Sequence, residues 1–477
     1  MRLPSAHEER VNKPARAALA ASLLWSAAGL DAAGQTSGVA AYRKDADRIV
    51  AAATADRAAW NRLAELTDTF GPRLSGSAGL EGALRWAEAR MKEDGLENVR
   101  LEPVKVPYWV RGRESLELVE PASARGSLVL LGLGNSVGTP AEGIEAEVVI
   151  AKSFDDLEAK GDAVRGRVVL FNVPYTNYGE TVRYRSDGAS RAAKLGARAI
   201  LLRSVGPVGL RTPHTGALRY DEEQPKIPAA AIPVEDSERL QRLADRGLPL
   251  RVRLKMEAHF LPDADSANVV GEIRGREKPG EIVLLGGHLD SWDVGVGAMD
   301  DGGGCIVTWE ALRLMKRLGL RPRRTLRVVL FTNEENGLRG ASGYLERHQG
   351  EAQNHVLALE SDGGVFAPKG FGFSGSEAAR TVVREVAALL SGIGATAIAP
   401  QGGGADIAPI VKAGRVPSMS LDVEGSRYFV YHHTPADNLE RLDPDEVARC
   451  AAAVAVMAYV VADLPEALPR EAEPQSP

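Results

Sequence analysis

The sequence predicts an α/β fold with a mostly parallel, mixed sheet that carries helices on both faces, together with a second unit rich in strands. After Pro262, short apolar strands alternate with amphipathic helices, which is the pattern of a layered α/β sheet. Residues 326–332 are mostly apolar, as expected for a strand buried on both faces. Between about 118 and 260 short β-rich segments dominate, and this change indicates a compact unit with its own core.

Two helices and then a series of strands are predicted before Pro262. Helical spacing of apolar residues covers 41–66, and a second helix covers 79–94, where Gly95 is placed to end it in a left-handed conformation. One helix is predicted within the strand-rich unit, at 188–195. The strands predicted for this unit are 127–131, 146–150, 167–172, 199–203, 229–234 and 250–255.

Strands and helices alternate in the rest of the chain. The predicted strands are 269–273, 282–285, 326–332 and 355–360, and the predicted helices are 302–318 and 377–390. A last helix starts at Asp443, with Pro444 at its first position and Glu446 completing a capping box. The Pro- and Glu-rich end of the chain, within a tail assigned to 466–477, is predicted to be disordered.

The composition of the 477-residue chain is that of a soluble globular protein. Hydrophobic residues make up 44% and charged residues 26% of it, and the length suggests about three domains. Lys and Arg number 58 against 64 Asp and Glu, so the net charge of -6 gives no electrostatic basis for a nucleic-acid binder. Two cysteines exclude a disulfide scaffold and a cysteine-based metal site. Cys305 and Cys450 could pair, but we expect two buried free thiols.

The N-terminus has the features of an export signal. Four basic residues precede an apolar run at 17–30, and small residues follow at 32–34. We therefore expect a signal peptide at 1–34 and a periplasmic or extracellular protein; the alternative is a short hydrophobic helix of the mature fold. The runs at 17–30 and 450–462 are shorter than the roughly 20 residues of a membrane span, so no span is expected in the mature chain.

Acidic and imidazole side chains follow the strands of the second half. Ligand-binding residues of α/β sheets lie in the loops beyond the carboxyl ends of the strands, so we expect these side chains to converge. The side chains in question are His288, Asp290, Asp300, Glu334, Glu335, Asp362, His432 and His433.

Such a cluster predicts a metal centre. Converging carboxylates and imidazoles would repel one another and lose hydration, and two divalent cations remove that penalty. Nitrogen and carboxylate oxygen donors suit zinc. Two ions joined by a bridging Asp can share a water and lower its pKa towards about 7. Of the adjacent Glu334 and Glu335, one can bind metal while the other accepts the proton of that water.

Taken singly, the polar residues have ordinary explanations. Asp301 is expected to cap the helix that follows it, and His214 to be structural or part of a lid. Arg183 and Arg185 are expected to be solvated, although a dipeptide's terminal carboxylate would need some such cation. These ordinary explanations do not account for the whole set of acidic and imidazole side chains, each of which follows a strand.

Several stretches of the chain carry a resemblance to a known family. They include Gly-His-Leu-Asp-Ser-Trp-Asp-Val-Gly at 287–295, Gly-Ala-Met-Asp-Asp-Gly-Gly-Gly at 297–304, Glu-Ser-Asp at 360–362 and Pro-His-Thr-Gly at 213–216. In these, over about 41–465, the chain resembles the co-catalytic di-zinc exopeptidases, the family that includes secreted bacterial aminopeptidases, and within it the carboxypeptidase Q branch.

The resemblance implies an organisation and a site. A catalytic domain in two parts, 35–117 and 261–465, is interrupted by a protease-associated insert at 118–260, and the protein is a homodimer. Asp300 bridges two Zn²⁺ ions, Glu334 is the general base, and Asp290 holds the far nitrogen of the His288 ring. The implied metal ligands are His288, Asp300, Glu335, Asp362 and His433.

The predicted function is a secreted zinc exopeptidase that hydrolyses short, unblocked peptides, chiefly dipeptides. A hydroxide bridging the metals would attack the scissile carbonyl, Glu334 would transfer the proton, and His432 or Tyr431 would steady the oxyanion. Thr-Pro-Ala-Asp-Asn at 434–438 is closer to the aminopeptidases, which leaves the preference for peptide termini open. The alternatives are a general aminopeptidase, a single-zinc acyltransferase like glutaminyl cyclase, and a non-catalytic binding protein on the same fold.

Overall fold

Two eight-stranded sheets organise the part of the chain that the computed structural model describes, residues 38–207 and 209–471. The predicted signal peptide and residues 472–477 lie outside this part. The strands are, in chain order, β1 (Glu97–Val110), β2 (Glu114–Glu120), β3 (Gly126–Leu128), β4 (Leu131–Gly132), β5 (Ile144–Ala151), β6 (Val168–Phe171), β7 (Ala199–Arg203), β8 (Ala229–Ile232), β9 (Arg251–Met256), β10 (His259–Ile273), β11 (Lys278–His288), β12 (Arg324–Phe331), β13 (His355–Glu360), β14 (Pro368–Ser374), β15 (Ala397–Ala399) and β16 (Ser418–Val423).

Helices precede and follow these strands. They are α1 (Arg43–Ala55), α2 (Ala58–Phe70), α3 (Ala78–Glu93), α4 (Phe154–Lys160), α5 (Tyr178–Thr181), α6 (Arg183–Lys194), α7 (Val234–Asp245), α8 (Gly303–Leu318), α9 (Arg339–His348), α10 (Glu377–Ala388), α11 (Ala408–Gly414), α12 (Tyr428–Tyr431) and α13 (Pro444–Asp463). The helical spacing at 41–66 belongs to two helices, because α1 ends before Asp56. The Asp56 carboxylate accepts the backbone N–H of Ala58, where α2 begins.

The first sheet confirms the predicted mixed α/β fold. Its order is β1-β10-β12-β11-β13-β16-β14-β15, parallel through β12, β11, β13 and β16 and antiparallel where β1, β10 and β14 join. Alternate residues of β12 enter two different cores: Leu326, Val328 and Leu330 pack with α8 and α13, whereas Val329 and Phe331 pack with α9 and α11. Helices therefore cover both faces, as the apolar run predicted.

The second sheet spans Glu114–Met256 and has the order β3-β2-β9-β5-β6-β7-β8-β4. Strands β5 to β8 are parallel, with α4 and α6 packed on one face and α7 on the other. Helix α7 corrects the sequence analysis, which continued a strand to residue 234. The strand ends at Ile232 because Pro233 has no N–H for a neighbouring strand, and Val234 begins the helix.

The structure confirms some of the remaining sequence predictions and corrects others. Gly95 adopts φ +75° directly after α3, and Cys305 and Cys450 are buried and free, all as predicted. Strands β1 and β2 were not predicted. The described part of the predicted tail is ordered by packing, which corrects the assignment of 466–471: Leu468 lies in the core, and the Arg470 guanidinium donates to backbone carbonyls. Among the described residues, no helix is both long and apolar enough to cross a membrane.

A buried polar network joins β1, β12 and α9. His348 Nε2 lies 3.0 Å from Glu102 Oε1, and its Nδ1 lies 2.7 Å from Glu351 Oε1, which also accepts from Arg327. Burial alone would lower the pKa of His348, but hydrogen bonds to the two carboxylates raise it above its ordinary value of 6.5. The network therefore favours an imidazolium between two carboxylates.

We expect His348→Gln to destabilise the protein more in acid than in alkaline solution. The folded pKa exceeds the unfolded one, so the stabilisation is complete below the unfolded pKa and is lost as pH rises through the folded pKa. The cost should be about 1–3 kcal/mol near pH 6 and smaller near pH 9. Urea unfolding of the wild-type and His348→Gln proteins at the two pH values measures the loss of stability. A loss that does not depend on pH would contradict the ionic role of His348.

Candidate metal centre

The register of the first sheet brings the predicted donors to one edge. His288, the last residue of β11, is level with Phe331 on β12, and Gly286 is level with Glu360 on β13. The loops that follow these strands consequently start side by side and carry Glu334, Glu335 and Asp362. Asp300 comes from the segment before α8, and His433 from the loop after α12.

All five predicted ligands meet around Asp300. His288 Nε2 lies 3.2 Å from Asp300 Oδ1 and 3.3 Å from Asp362 Oδ1. His433 Nε2 lies 3.1 Å from Asp300 Oδ2 and 3.0 Å from Glu335 Oε2. The two carboxylate oxygens of Asp300 thus face two separate sets of donors, as a bridging ligand requires.

The donors fit cations better than they fit one another. Asp300 Oδ2, Glu335 Oε1 and Asp362 Oδ1 are buried and have no hydrogen-bond partner in the described part of the chain. Leaving a carboxylate oxygen buried and unpaired is costly, and a divalent cation removes that cost. Donor atoms able to hold a metal ion also come from His432 and from Asp301, which caps α8 by accepting the N–H of Gly304.

The electrostatics of the metal-free chain follow from this crowding. Burial alone would lower the pKa of His288, but Asp362 and Asp300 raise it well above its usual value. Burial alone would also lower the pKa of His433, but Glu335 and Asp300 raise it well above its usual value. The surrounding carboxylates thus favour the protonated form of both imidazoles, and protons compete with a metal ion for these nitrogens.

Glu334 differs from its neighbour Glu335. Glu335 is buried against His433, whereas Glu334 is partly exposed beside the centre. Burial and the negative charges of Asp362 and Glu335 raise the pKa of Glu334 well above its ordinary value. A carboxylate with a raised pKa that solvent can reach is suited to accept and return a proton.

Asp290 acts on both halves of the centre, but not in the way predicted. Its backbone carbonyl, rather than its carboxylate, lies 2.9 Å from His288 Nδ1, and the nearest carboxylate oxygen is 3.8 Å away. The carboxylate instead accepts the backbone N–H groups of Glu334 and Glu335, at 3.1 and 3.2 Å. The side chain is turned towards the Glu pair because two N–H donors hold it there.

Two buried side chains that the sequence analysis missed fix the segment between His288 and Asp300. The Asp437 carboxylate accepts the backbone N–H groups of Met299 and Asp300, at 2.8 and 3.2 Å. The fully buried Arg73 guanidinium donates to the carbonyls of Leu289, Val296 and Gly297. Partners that are backbone atoms leave no pattern in the sequence, although Asp437 falls inside the Thr-Pro-Ala-Asp segment after His433.

Side chains of the second-sheet unit also reach the centre. Arg185 on α6 is only 8% exposed, so the expectation that it is solvated is wrong, whereas Arg183 is exposed as expected. Arg185 Nη2 donates to the Tyr178 hydroxyl at 2.8 Å, and Nη1 lies 3.4 Å from His433 Nδ1. Its Nε has no partner, and no acidic side chain of the described residues pairs with it.

The two residues suggested for the oxyanion are placed differently. His432 is buried, stacks on His433 at 3.5 Å between ring centroids, and lies 3.5 Å from Asp300 Oδ2. Burial and the neighbouring His433 lower its pKa well below the usual value. The Tyr431 ring lies instead under the Arg441 guanidinium, 5.1 Å from it. The structure therefore brings the His432 ring to the centre, whereas the Tyr431 side chain, among the described residues, makes no hydrogen bond or ring contact with the metal ligands.

Comparison with known proteins finds close relatives. A model of peptidase family M28 matches residues 268–458. Carboxypeptidase Q of Bos taurus is 50% identical over 416 residues, which are 87% of this chain and 88% of the relative. A crystal structure of a peptidase M28 precursor from Shewanella amazonensis has a TM-score of 0.87 and 34% identity, covering 91% of this chain and all of that one. A zinc aminopeptidase from Bacillus subtilis has the same fold, with a TM-score of 0.64 at 20% identity over 86% of this chain and 98% of its own.

Proposed function

Since the chain belongs to peptidase family M28, we propose that it is an exported di-zinc exopeptidase that hydrolyses unblocked dipeptides. Membership of this family and the carboxypeptidase Q relatives establish that the protein is a metallo-exopeptidase. The observation that carries the finer proposal is the convergence of four donor side chains, from His288, Asp362, His433 and Glu335, on Asp300, with Glu334 beside them.

The proposed ligand set divides into two halves. His288 and Asp362 would hold one zinc ion, His433 and Glu335 the other, and Asp300 both. Nitrogen and oxygen donors without thiolate are compatible with zinc. Bound zinc supplies Lewis acidity towards the scissile carbonyl and lowers the pKa of water in the site.

The residues of the chain supply the proton transfers. Glu334 accepts a proton from the attacking water and returns it to the leaving amine, for which its raised pKa is suitable. Asp290 fixes the main chain of Glu334 by accepting its N–H, so that the carboxylate keeps one position through both steps. His432, whose pKa is lowered by burial and by the neighbouring His433, would donate a hydrogen bond to the developing oxyanion.

Arg185 supports the preference for a free carboxyl terminus. Its guanidinium is desolvated, lies against a metal ligand and has no anionic partner in the described chain. A buried cation without a counter-ion is costly, and the cost is recovered when a carboxylate binds. In a dipeptide the terminal carboxylate lies within one residue of the scissile bond, so a cation this close to the metal centre suits a short substrate.

Three forms of one dipeptide test the substrate class. We expect the zinc-loaded mature protein to hydrolyse the free dipeptide and to leave the N-acetylated and C-amidated forms largely intact. Cleavage of the amide as well would show an aminopeptidase, the second candidate, which the Thr-Pro-Ala-Asp segment favours. Cleavage of the acetylated form would show a carboxypeptidase, and a protein that binds two zinc ions but cleaves none of the three would contradict the proposed enzyme.

The same series tests Arg185. We expect Arg185→Met to lower kcat/KM for the free dipeptide by about 100-fold, because a buried charge pair with the substrate is lost, and to lower any slow turnover of the amide much less. Arg183→Met is the matched control, since Arg183 is exposed and its guanidinium lies over the Phe154 and Tyr184 rings, at 5.0 and 5.9 Å. Equal losses on both substrates would show that Arg185 does not read the carboxylate.

Three broader features belong to this proposal. The second sheet and its helices would be the protease-associated insert, residues 1–34 a signal peptide removed on export, and the mature protein a homodimer. The basic, apolar and small-residue order of the N-terminus supports export. N-terminal sequencing of the mature protein and sedimentation equilibrium measure cleavage and assembly.

A further inference from the structure

The loop that carries His433 is bonded to the second-sheet unit by a reciprocal pair of contacts. The backbone N–H of Thr215 donates to the His433 carbonyl at 2.9 Å. In return, the His433 ring atom Nδ1 lies 3.3 Å from the Thr215 carbonyl oxygen. Arg185 Nη1 donates to the same carbonyl at 3.3 Å. Within the described chain, the polar neighbours of Nδ1 are thus Thr215 and Arg185, both from the second-sheet unit.

The Thr215 end of this contact is rigid. Thr215 is completely buried, and its hydroxyl donates to the Gly132 carbonyl on β4 at 2.8 Å. The neighbouring Gly216 carbonyl accepts the N–H of Gly134 at 3.0 Å, and a β-bridge joins Gly134 to Ala217. The peptide that faces His433 is therefore fixed to the edge of the second sheet.

The His433 end needs such support. His433 has φ +59°, a left-handed conformation that costs free energy in a residue other than glycine. Its ring is held on one side by stacking on His432 and on the other by the edge of Trp292, at 5.7 Å between centroids. These contacts set the plane of the ring, but neither selects which nitrogen carries the proton.

The Thr215 carbonyl does make that selection. Nε2 faces Asp300 and Glu335, where a metal ligand must present a lone pair, so Nδ1 must carry the hydrogen. A carbonyl oxygen can only accept and thereby favours the tautomer protonated at Nδ1. The other polar neighbour, Arg185 Nη1, can only donate, but it lies nearer to the same carbonyl, at 3.3 Å, than to Nδ1, at 3.4 Å. On the other half of the centre, the Asp290 carbonyl lies 2.9 Å from His288 Nδ1 and plays the same part from within the catalytic sheet.

We propose that Thr215 is a positioning residue for the metal ligand His433, so that the second-sheet unit completes one half of the metal centre. The inference rests on the proposed di-zinc function. It predicts an asymmetry: the ion held by His433 depends on the second sheet, and the ion held by His288 does not. A carbonyl that fixes a ligand ring typically affects metal affinity by about 10–100-fold.

Thr215→Val tests the proposal, since it keeps the shape of the side chain and removes the hydroxyl that fixes the peptide to Gly132. Chelator competition should show one zinc ion bound about 10–100-fold more weakly and the other unchanged. Thr215→Ser should restore wild-type affinity. Thr139→Val is the matched control, because the Thr139 hydroxyl also bonds a buried main chain of this unit, at Met256, but away from His433.

A spectroscopic measurement does not depend on activity. In the cobalt-substituted wild-type protein, the exchangeable ring N–H signals of two ligand histidines should both exchange slowly. In Thr215→Val only one of them should shift and exchange faster. Unchanged affinities in a folded Thr215→Val protein, or equal losses at both sites, would overturn the proposal. If the variant does not fold, rapid exchange of one ring N–H in the wild-type protein would overturn it. Failure of the wild-type protein to bind two zinc ions would overturn the proposed function as well.

Discussion

Glu334→Gln should bind both zinc ions as the wild-type protein does and lose nearly all turnover. The amide is the same size as the carboxylate, and Glu334 is not among the donors that surround Asp300, so the metal centre should form normally. Gln cannot accept the proton of the attacking water, and removal of a general base typically costs about 10²–10⁴-fold in rate. Metal analysis of the dialysed protein and kcat on a free dipeptide measure the two effects.

The adjacent Glu335→Gln is the control that separates the two roles. Glu335 Oε2 lies 3.0 Å from His433 Nε2, and its Oε1 has no hydrogen-bond partner among the described residues, so this variant should lose metal along with activity. Loss of rate with full metal content in one variant and loss of metal in the other would assign base and ligand. Near-normal turnover of Glu334→Gln would refute the assignment of Glu334.

Asp300→Asn should disable the centre through the metals. The two carboxylate oxygens of Asp300 face the two donor sets, at 3.2 Å from His288 Nε2 and 3.1 Å from His433 Nε2. An amide would turn an NH₂ group towards one of them and could no longer bridge. The loss of several kcal/mol of electrostatic stabilisation corresponds to about 10²–10⁴-fold in kcat/KM, and at least one zinc ion should be lost on dialysis.

A buried aspartate elsewhere provides the control for this variant. Asp236 is 3% exposed and pairs with Arg211 in the second-sheet unit. Asp236→Asn should lower thermal stability but keep two zinc ions and the wild-type rate. If Asp300→Asn also kept two zinc ions and that rate, Asp300 would not bridge the metals.

Much of the centre was predictable because its chemistry lies at strand ends. The apolar strand at 326–332 and the strand at 355–360 are each followed within two residues by an acidic residue, and parallel strands put their carboxyl ends at one edge. The family resemblance then assigned a role to each donor. Boundaries were less certain where a single residue decides them, as at Pro233, which ends β8 and lets α7 begin.

The sequence by itself therefore determined the α/β class and predicted which side chains gather at the sheet edge, because periodicity and strand-end chemistry are local properties of the chain; the roles within the Glu pair stay a prediction from the family resemblance. The tertiary structure alone decided how the donors are held. Arg73 and Asp437 act on backbone atoms, and Thr215 contacts His433 across a sequence separation of 218 residues. Contacts between such distant segments, made largely through main-chain groups common to every residue, leave no local pattern, so only the packing of the two sheets could place them.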